Sequence, residues 1–580
     1  MLQGRTFVSK GMWPAFLCVF SVAVLSPTLT AYFRADDGPI IYQLSQIHNP
    51  LSIFFDRNIY LRLNYAHFRP FSFLALWVEH ALFGASPLGY HLVSALAVSF
   101  TAFLLGVALS GSGLPIAAGR LGAILFILSP ATVGSAIWAS AQFDVWSALF
   151  MVLAFVLLSW ARDKNRIGLY VASLGATFLG LLSKESVIVV ASLLPFLDAA
   201  RFRRLSRLRQ IVEGAVWWGV VAVYLLWRVI MLGGLGGNLN WGSPPFFFQA
   251  MMTLDFYLRV MSIVASQGNL FLVSLLVFAV TYAGLWLHAP TRAAWYGALI
   301  LVCALPVIPL LPWSGQFPLN LRYLYLPALV LVACFADSIA VWWKSNRLSL
   351  QAIGALALAI CTVVIAKGSV EAMRLYRVEA DQGQAATRSA LRLLRESDQD
   401  TTFVLVYQDA WFLEGMLRLS SVAPSVRFRV IEPRPFLANY RLAQRLRSGA
   451  AMKVFVYQDG QTPRWRDETA RAVDQIESDL ARRTIAPPKI SCSVSRDSYW
   501  IDLRIDAPGP WQVLTMYYGP WEQGFWQSAG AVTARYRGPV YAGVWSFAAS
   551  YTDLAGVESA IAESTPIRIG RGEGWKPFLP

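Results

Sequence analysis

Charge is scarce in this chain, and so are cysteine and histidine. Only 14% of the 580 residues are Asp, Glu, Lys or Arg, where a soluble protein carries roughly a quarter. That shortage excludes an ordinary soluble globule for the chain as a whole. There are five cysteines and no CxxC pair, so neither a disulfide framework nor a cysteine metal site is readable. Cys18, Cys303, Cys334 and Cys361 lie in apolar runs, and Cys492 stands alone. No glycine-rich phosphate loop follows a strand-like run, so no nucleotide site is assigned. No Asn-x-Ser/Thr sequon occurs, which favours a bacterial origin.

What is present is unevenly placed. Residues 1–367 hold 23 basic and 11 acidic residues, and residues 368–580 hold 26 and 23. The first part is apolar and the last has the composition of a soluble domain. The +15 net charge comes mostly from the apolar part, where it reads as membrane topology and not as a nucleic-acid surface. A span needs about 20 apolar residues to cross about 30 Å of hydrocarbon. On that measure about eleven spans are expected, near 12–31, 87–110, 120–138, 144–160, 167–183, 186–200, 211–231, 260–287, 294–311, 323–343 and 349–366. The first run has Arg5 and Lys10 ahead of it but no convincing small-x-small cleavage site, so it is read as a retained span. Segment 70–84 is too short to cross. It is expected as a juxtamembrane helix opened by Pro70 and stopped by Gly84.

Lys and Arg set the orientation. With the N-terminus cytoplasmic, the inner loops hold 14 basic residues and the outer loops and their edges eight, so the C-terminal third is expected outside. That third is expected to contain an α/β domain at 368–487 and a β-rich module at 488–580. Strands are read at 402–408, 427–431 and 452–457, and helices at 379–397, 435–448 and 466–483. Val-Tyr-Gln-Asp ends the first and third of these strands, at 406–409 and 456–459. The expected fold class is therefore a polytopic α-helical membrane protein with a C-terminal extracytoplasmic α/β plus β-rich soluble part.

Four outer loops carry the candidate chemistry. The first holds Asp36-Asp37 and, further on, His67-Phe68-Arg69-Pro70. A carboxylate just past the end of a span can take a proton from a hydroxyl or hold a divalent cation; taken alone, the pair could equally be a solvated loop. The second ends in Gln142-Phe143-Asp144, where Asp144 opens a helix and would suit its dipole in any case. The third is Lys184-Glu185, which could be a self-neutralising turn. The fourth ends in Arg322-Tyr323, where a guanidinium can grip a phosphate or simply reach lipid headgroups. Ionisable groups gathered on one membrane face are functional candidates.

These pieces resemble the GT-C superfamily of polyprenyl-phosphate-sugar-dependent glycosyltransferases. The likeness is nearest to the transmembrane O-mannosyltransferases that carry tetratricopeptide repeats and to their bacterial relatives. It rests on Asp36-Asp37; on Phe68-Arg69-Pro70 with Leu82-Phe83-Gly84 and Gly89-Tyr90-His91; on Ser129-Pro130 with Trp138 and Asp144; on Leu182-Ser183-Lys184-Glu185; and on Arg322-Tyr323-Leu324-Tyr325-Leu326-Pro327. The resemblance implies inverting, mannosyltransferase-like transfer from a polyprenyl-phosphate-linked sugar to a protein or glycan acceptor at the periplasmic face of a bacterial inner membrane. Asp36 or Asp37 would be the base, with Asp36 slightly favoured, and the same pair would be the ligands of a divalent cation if one is used. Lys184, Arg322, Arg69 and Tyr323 would hold the donor phosphate. Asp144, His91, Glu185, His67 and Gln142 would line the cavity or orient the acceptor.

The chain departs from the family's pattern at Asn320-Leu321, at Gln142-Phe143 and at Ser94, and no tetratricopeptide repeats follow. The alternatives from other classes are a transporter or flippase of a lipid-linked or anionic solute, and a non-catalytic scaffold of the same fold. Lipids, the donor and the acceptor are the partners expected, and nucleic acid is not.

Overall fold

The computed structural model describes residues 5–64, 67–201, 207–233, 269–304, 321–345, 347–396, 401–420, 426–431, 449, 451–458, 464–474, 486–494, 500–506, 512–520, 527–531, 535–539, 543–553, 559 and 561–569. The chain divides into two compact units that do not follow chain order. One comprises 1–32, 69–227 and 244–380; the other comprises 33–68, 228–243 and 381–580.

The first unit is helical and apolar. Its helices are α1 (Arg5–Val24), α2 (Ser26–Leu29), α6 (Pro70–Phe83), α7 (Pro87–Gly111), α8 (Ile116–Ile127), α9 (Pro130–Ala136), α10 (Gln142–Lys164), α11 (Ile167–Ser183), α12 (Ile188–Arg201) and most of α13 (Arg207–Leu232). They are joined by α14 (Asn269–His288), α15 (Pro290–Ala304), α16 (Tyr325–Trp343) and the first two-thirds of α17 (Leu348–Arg395). Among the described residues, five helices are long and apolar enough to cross a membrane, and six if the bent pair α8–α9 is one span. The chain is thus an integral membrane protein. Parts of the expected spans 260–287 and 294–311 lie outside the described residues.

The bend between α8 and α9 is 54° and has a local cause. Pro130 lacks an N–H and opens a new helix, and the Ser129 hydroxyl accepts from the Ala131 N–H at 3.3 Å. The expected juxtamembrane helix is α6, with Pro70 at its first position and Gly84 after it at φ 59. It is pinned along its length: Phe71 meets Trp146 and Phe150 edge-on, and Phe73 meets Phe143 the same way. Far along α10, the buried Arg162 donates to Glu213 of α13 at 2.5 and 3.0 Å and to the Pro195 carbonyl of α12 at 3.1 Å. That pairing satisfies a charge that burial alone would make costly.

One expectation is corrected by continuity. Segments 349–366 and 379–397 are not separate: α17 runs through both as a single helix of 48 residues. Nothing between them breaks a helix, because residues 367–378 contain no proline and only one glycine, Gly368.

The second unit contains the first-loop helices α3 (Asp37–Ser45), α4 (Ser52–Phe55) and α5 (Arg57–Leu63), the end of α17, and the C-terminal third. Its α/β part has a sheet in the order β2-β1-β3-β4, formed by β1 (Thr402–Val406), β2 (Phe428–Ile431), β3 (Met452–Gln458) and β4 (Arg464–Asp467). The first three strands are parallel and β4 is antiparallel to β3. Helix α18 (Ala410–Leu419) connects β1 to β2. One face of the sheet packs Val404, Val406, Val454, Ile431 and Ala472.

The expected helix 466–483 begins later than foreseen. Residues 464–467 are a strand, because Trp465 packs on Tyr457 at 5.2 Å and Asp467 caps the next helical turn by accepting from the Thr469 N–H at 3.0 Å. The expected helix 435–448 lies outside the described residues. The repeated Val-Tyr-Gln-Asp has a packing role: Tyr407 and Tyr457 meet edge-on at 5.4 Å, and Asp409 caps α18 through the Phe412 N–H. Beyond residue 488 the strands are β5 (Ile490–Val494), β6 (Trp500–Ile505), β7 (Gln512–Pro520), β8 (Gln527–Ala531), β9 (Arg535–Pro539), β10 (Gly543–Asp553), β11 (Ala562–Glu563) and β12 (Ile567–Ile569), which form two antiparallel sheets among the described residues, β11-β10-β7-β8 with β12 on β10, and β5-β6-β9.

Candidate active site

In the first unit, four separate segments bring cations and carboxylates together. Lys184 follows α11 in extended conformation, φ −158 and ψ 132, which turns it out of the helix before a single 3-10 turn at Glu185–Val187. Its ammonium donates to Asp144 Oδ1, in the first turn of α10. The next residue, Glu185, accepts two bonds from Arg69, at 2.8 and 2.5 Å. Arg69 precedes α6 and is held there because Ser72 Oγ donates to the Ser183 carbonyl at 3.0 Å.

Tyr323 joins the group from the 3-10 turn Leu321–Leu324. Its ring lies 5.3 Å from Lys184 Nζ and 5.2 Å from the Arg322 guanidinium carbon. Arg322 also lies flat over Trp138 at 3.6 Å. That turn is fixed by the buried Tyr376 hydroxyl of α17, which accepts from the Leu321 N–H at 3.2 Å. Arg69 lies 5.4 Å from the Phe143 ring.

Lys184 is held below the ordinary lysine range. Burial is the main cause, Asp144 opposes it, and the charges of Arg69 and Arg322 reinforce it. Among the described residues, the cations Arg69, Lys184 and Arg322 lie together with the carboxylates Asp144 and Glu185. Lys184 and Asp144 are buried while Arg69, Glu185 and Arg322 are half-buried, so the ion pair at the centre of the cluster interacts more strongly than it would in water.

Two residues expected to line the cavity, His91 and Gln142, are buried and held by hydrogen bonds to neighbouring helices. His91 is fully buried, with Nδ1 3.1 Å from the Ala136 carbonyl and Nε2 3.2 Å from the Ala31 carbonyl. The ring bridges α7 to the end of α9 and to the segment that follows α2. Gln142 donates from Nε2 to Glu79 Oε2 at 2.9 Å and to the Tyr90 carbonyl at 3.0 Å, and accepts from Trp146 at 3.2 Å. Glu79 was not foreseen as part of this region. Burial pushes its carboxyl up to about 8, so it is protonated at neutral pH. Trp138 and Phe143, the walls of the clamp, were also not foreseen as site residues, because a lone aromatic beside an apolar run carries no distinguishing signal.

Asp36, Asp37 and His67 belong to the second unit. The two aspartates are not equivalent. Asp37 is buried; its Oδ2 accepts from the Arg34 N–H at 3.1 Å, while its own N–H donates to the Arg34 carbonyl at 2.9 Å. This pair of bonds closes the turn that starts α3. Asp36 is half-buried, and among the described residues its carboxylate accepts no hydrogen bond. Ala35 before it has φ 45, a left-handed conformation uncommon for a residue with a Cβ and frequent at functional sites. His67 joins the loop through its backbone: its N–H donates to Asn64 at 2.8 Å and its carbonyl accepts from Tyr60 at 2.6 Å.

No group of three or more metal-ligating side chains is found among the described residues. One available carboxylate beside another tied into a turn does not make the oxygen shell a divalent cation takes.

Together these features define a helical membrane protein with a cluster of cations and carboxylates at the ends of several helices and an acid pair in the segment between α2 and α3. No family model and no curated protein matches the chain. Among solved structures, it is similar to ArnT from Cupriavidus metallidurans bound to undecaprenyl phosphate, at 14% identity over 77% of this chain and 93% of that one, with a TM-score of 0.42. It is also similar to the Archaeoglobus fulgidus oligosaccharyltransferase in the apo form, at 10% identity over 97% of each chain and a TM-score of 0.46. The same organism's AglB, in complex with an inhibitory peptide and a dolichol-phosphate, gives 10% identity and a TM-score of 0.40. These likenesses are distant, and no residue's role is taken from them.

Proposed function

We propose that the chain is a membrane glycosyltransferase. It would move a sugar from a polyprenyl-phosphate donor to a hydroxyl of a protein or glycan on the periplasmic face of a bacterial inner membrane, with inversion at the anomeric carbon. The observation that carries this reading is the meeting of Arg69, Lys184, Arg322 and Tyr323 with Asp144 and Glu185 in the first unit. The residues come from positions up to 254 apart in sequence, yet form one cluster.

In the donor, the phosphate is a diester with one negative charge. When the acceptor oxygen bonds to the anomeric carbon, the sugar–phosphate bond breaks and its electron pair stays on the phosphate oxygen. The phosphate becomes a monoester and gains a second charge. A cationic clamp therefore holds the transition state more tightly than the ground state, which is the condition for catalysis. No proton need be given to such a leaving group. Only the acceptor proton must be removed, and Asp36 is the base. Asp37 holds the turn that presents it.

Separate Asn substitutions test this. Asp36→Asn keeps the fold and lowers transfer by about 10²–10⁴-fold, the usual contribution of a general base. Asp37→Asn weakens the turn and lowers the melting temperature as well. Mass spectrometry of glycans and glycoproteins from cells carrying each variant reads the outcome. Normal glycan levels with Asp36→Asn would end the proposal.

A further inference from the structure

The loop that carries Asp36 is packed on the C-terminal domain with no room to spare. Both belong to the second unit. Helix α3 begins at Asp37, and the Asp36 carbonyl accepts its first turn's bond from the Ile40 N–H at 3.1 Å. Two residues further on, Gly38 faces α18. A Cβ at Gly38 would lie 2.9 Å from Met416 Cγ, 2.9 Å from the Phe412 carbonyl oxygen and 3.0 Å from the Met416 nitrogen. The reverse contact is tighter. A Cβ at Gly415 would lie 2.2 Å from the Pro39 nitrogen and 2.5 Å from the Gly38 carbonyl carbon. These are backbone atoms, which cannot rotate aside. Gly383 of α17 completes the seat: its Cβ would lie 2.9 Å from the Phe412 ring and 3.9 Å from the Phe33 carbonyl.

Helix α18 is itself fixed to the sheet. Phe412, Leu413, Met416 and Leu417 are buried, Asp409 caps its start, and Arg418 lies over Phe428 of β2 at 5.0 Å. So the place of α3, and of Asp36 at its head, is set by a helix more than 370 residues further along the chain.

We propose that the C-terminal α/β domain is the positioning element of the reaction, and that Gly415 and Gly38 are the positioning residues through which it holds Asp36. This rests on the reading of Asp36 as the base. The domain then needs no ligand of its own to be required for transfer.

The test uses the full chain in lipid nanodiscs. Gly415→Ala forces α3 and α18 apart, on the order of 1 Å, and a misplacement of that size in a reacting group can cost about 10²-fold. Gly219→Ala is the control, since nothing lies within 4 Å of its Cβ. Transfer rates are measured against the concentration of whichever undecaprenyl-phosphate hexose supports wild-type transfer, and undecaprenyl phosphate binding is measured separately. Gly415→Ala should lower kcat by about 10²-fold while KM for that donor and Kd for undecaprenyl phosphate stay at wild-type values. Hydrogen exchange at residues 37–45 should rise. An unchanged kcat overturns the proposal, and so does a parallel loss of kcat and undecaprenyl phosphate affinity, which would mean general unfolding.

If Gly415→Ala does not fold, Gly38→Ala is the milder variant, because its contacts of 2.9–3.0 Å, two of them to α18 backbone, require a smaller shift than the 2.2 Å contact at Gly415, and it is read in the same way. Asp36→Asn separates the two claims. If it leaves kcat intact, the base assignment fails; if it abolishes transfer while Gly415→Ala does not, only the positioning claim fails.

Discussion

Lys184 shows how one buried side chain can set a pH limit. Its ammonium is held below the usual lysine range by burial, with Asp144 opposing that shift. In the proposed reaction, Lys184 offsets the charge of the leaving phosphate only while it is itself charged. Transfer should therefore fall on the alkaline side at a lower pH than an ordinary lysine would give. Asp144→Asn removes the group that favours the charge, so the alkaline limb moves to still lower pH. Removing one partner of a buried ion pair also costs about 3–5 kcal/mol of stability, which a melting curve would register. A kcat/KM profile against pH for the variant checks the direction; a limb that stays in place or moves up contradicts the role given to Lys184. The ion pairs themselves were not legible in the sequence. Arg69 and Glu185 are 116 residues apart, and Lys184 and Asp144 are 40 apart, so local spacing could name the residue types but not the partners. The same holds for Asp37, whose tie to the Arg34 backbone depends on the positive φ of Ala35.

At the scale of elements, the turn that carries Arg322 is seated on a short helix. A Cβ at Gly134 of α9 would lie 2.9 Å from Leu321 Cβ, 2.9 Å from the Tyr376 hydroxyl and 3.3 Å from the Arg322 nitrogen. Gly134→Ala must push that turn away or tilt α9. Overpacking of this kind costs about 1–3 kcal/mol. Because the displaced turn carries Arg322 and Tyr323, the expected signature is weaker binding of undecaprenyl phosphate, measured by native mass spectrometry, with the acid loop unaffected. Wild-type affinity in a folded Gly134→Ala protein would show that the turn does not position the clamp. Helix positions were the most legible part of this architecture, since apolar runs and the Pro70 start are local signals, although the break at Pro130 inside the expected span 120–138 was missed. Strand β4 was missed, with its last two residues expected as helix, because its half-buried residue, Trp465, declares itself only through Tyr457 and through Ser389 of α17, which accepts the indole N–H at 3.1 Å. The length of α17 was also missed: a helix leaving a membrane looks in sequence like two helices, one apolar and one amphipathic.

For the whole molecule, the testable quantity is which side of the membrane each part faces. By the excess of Lys and Arg in alternate loops, 163–166 are expected in the cytoplasm and the C-terminal third outside. The chain's own cysteines make little background for a labelling test. Four lie in apolar helices, and burial pushes the Cys492 thiol up to about 11, so it is almost entirely protonated and unreactive at neutral pH. Two exposed positions serve as reporters: Gln408 at the end of β1 and Lys164 at the end of α10. In intact spheroplasts, a membrane-impermeant maleimide should label Gln408→Cys and leave Lys164→Cys untouched, and permeabilisation should expose the second. The reverse pattern would put Asp36 and the Lys184 cluster on the cytoplasmic side, because the first and third outer loops share the orientation of the C-terminal third. A periplasmic acceptor could then reach neither the base nor the clamp, and the proposed transfer reaction would fail even with every hydrogen bond of the site intact.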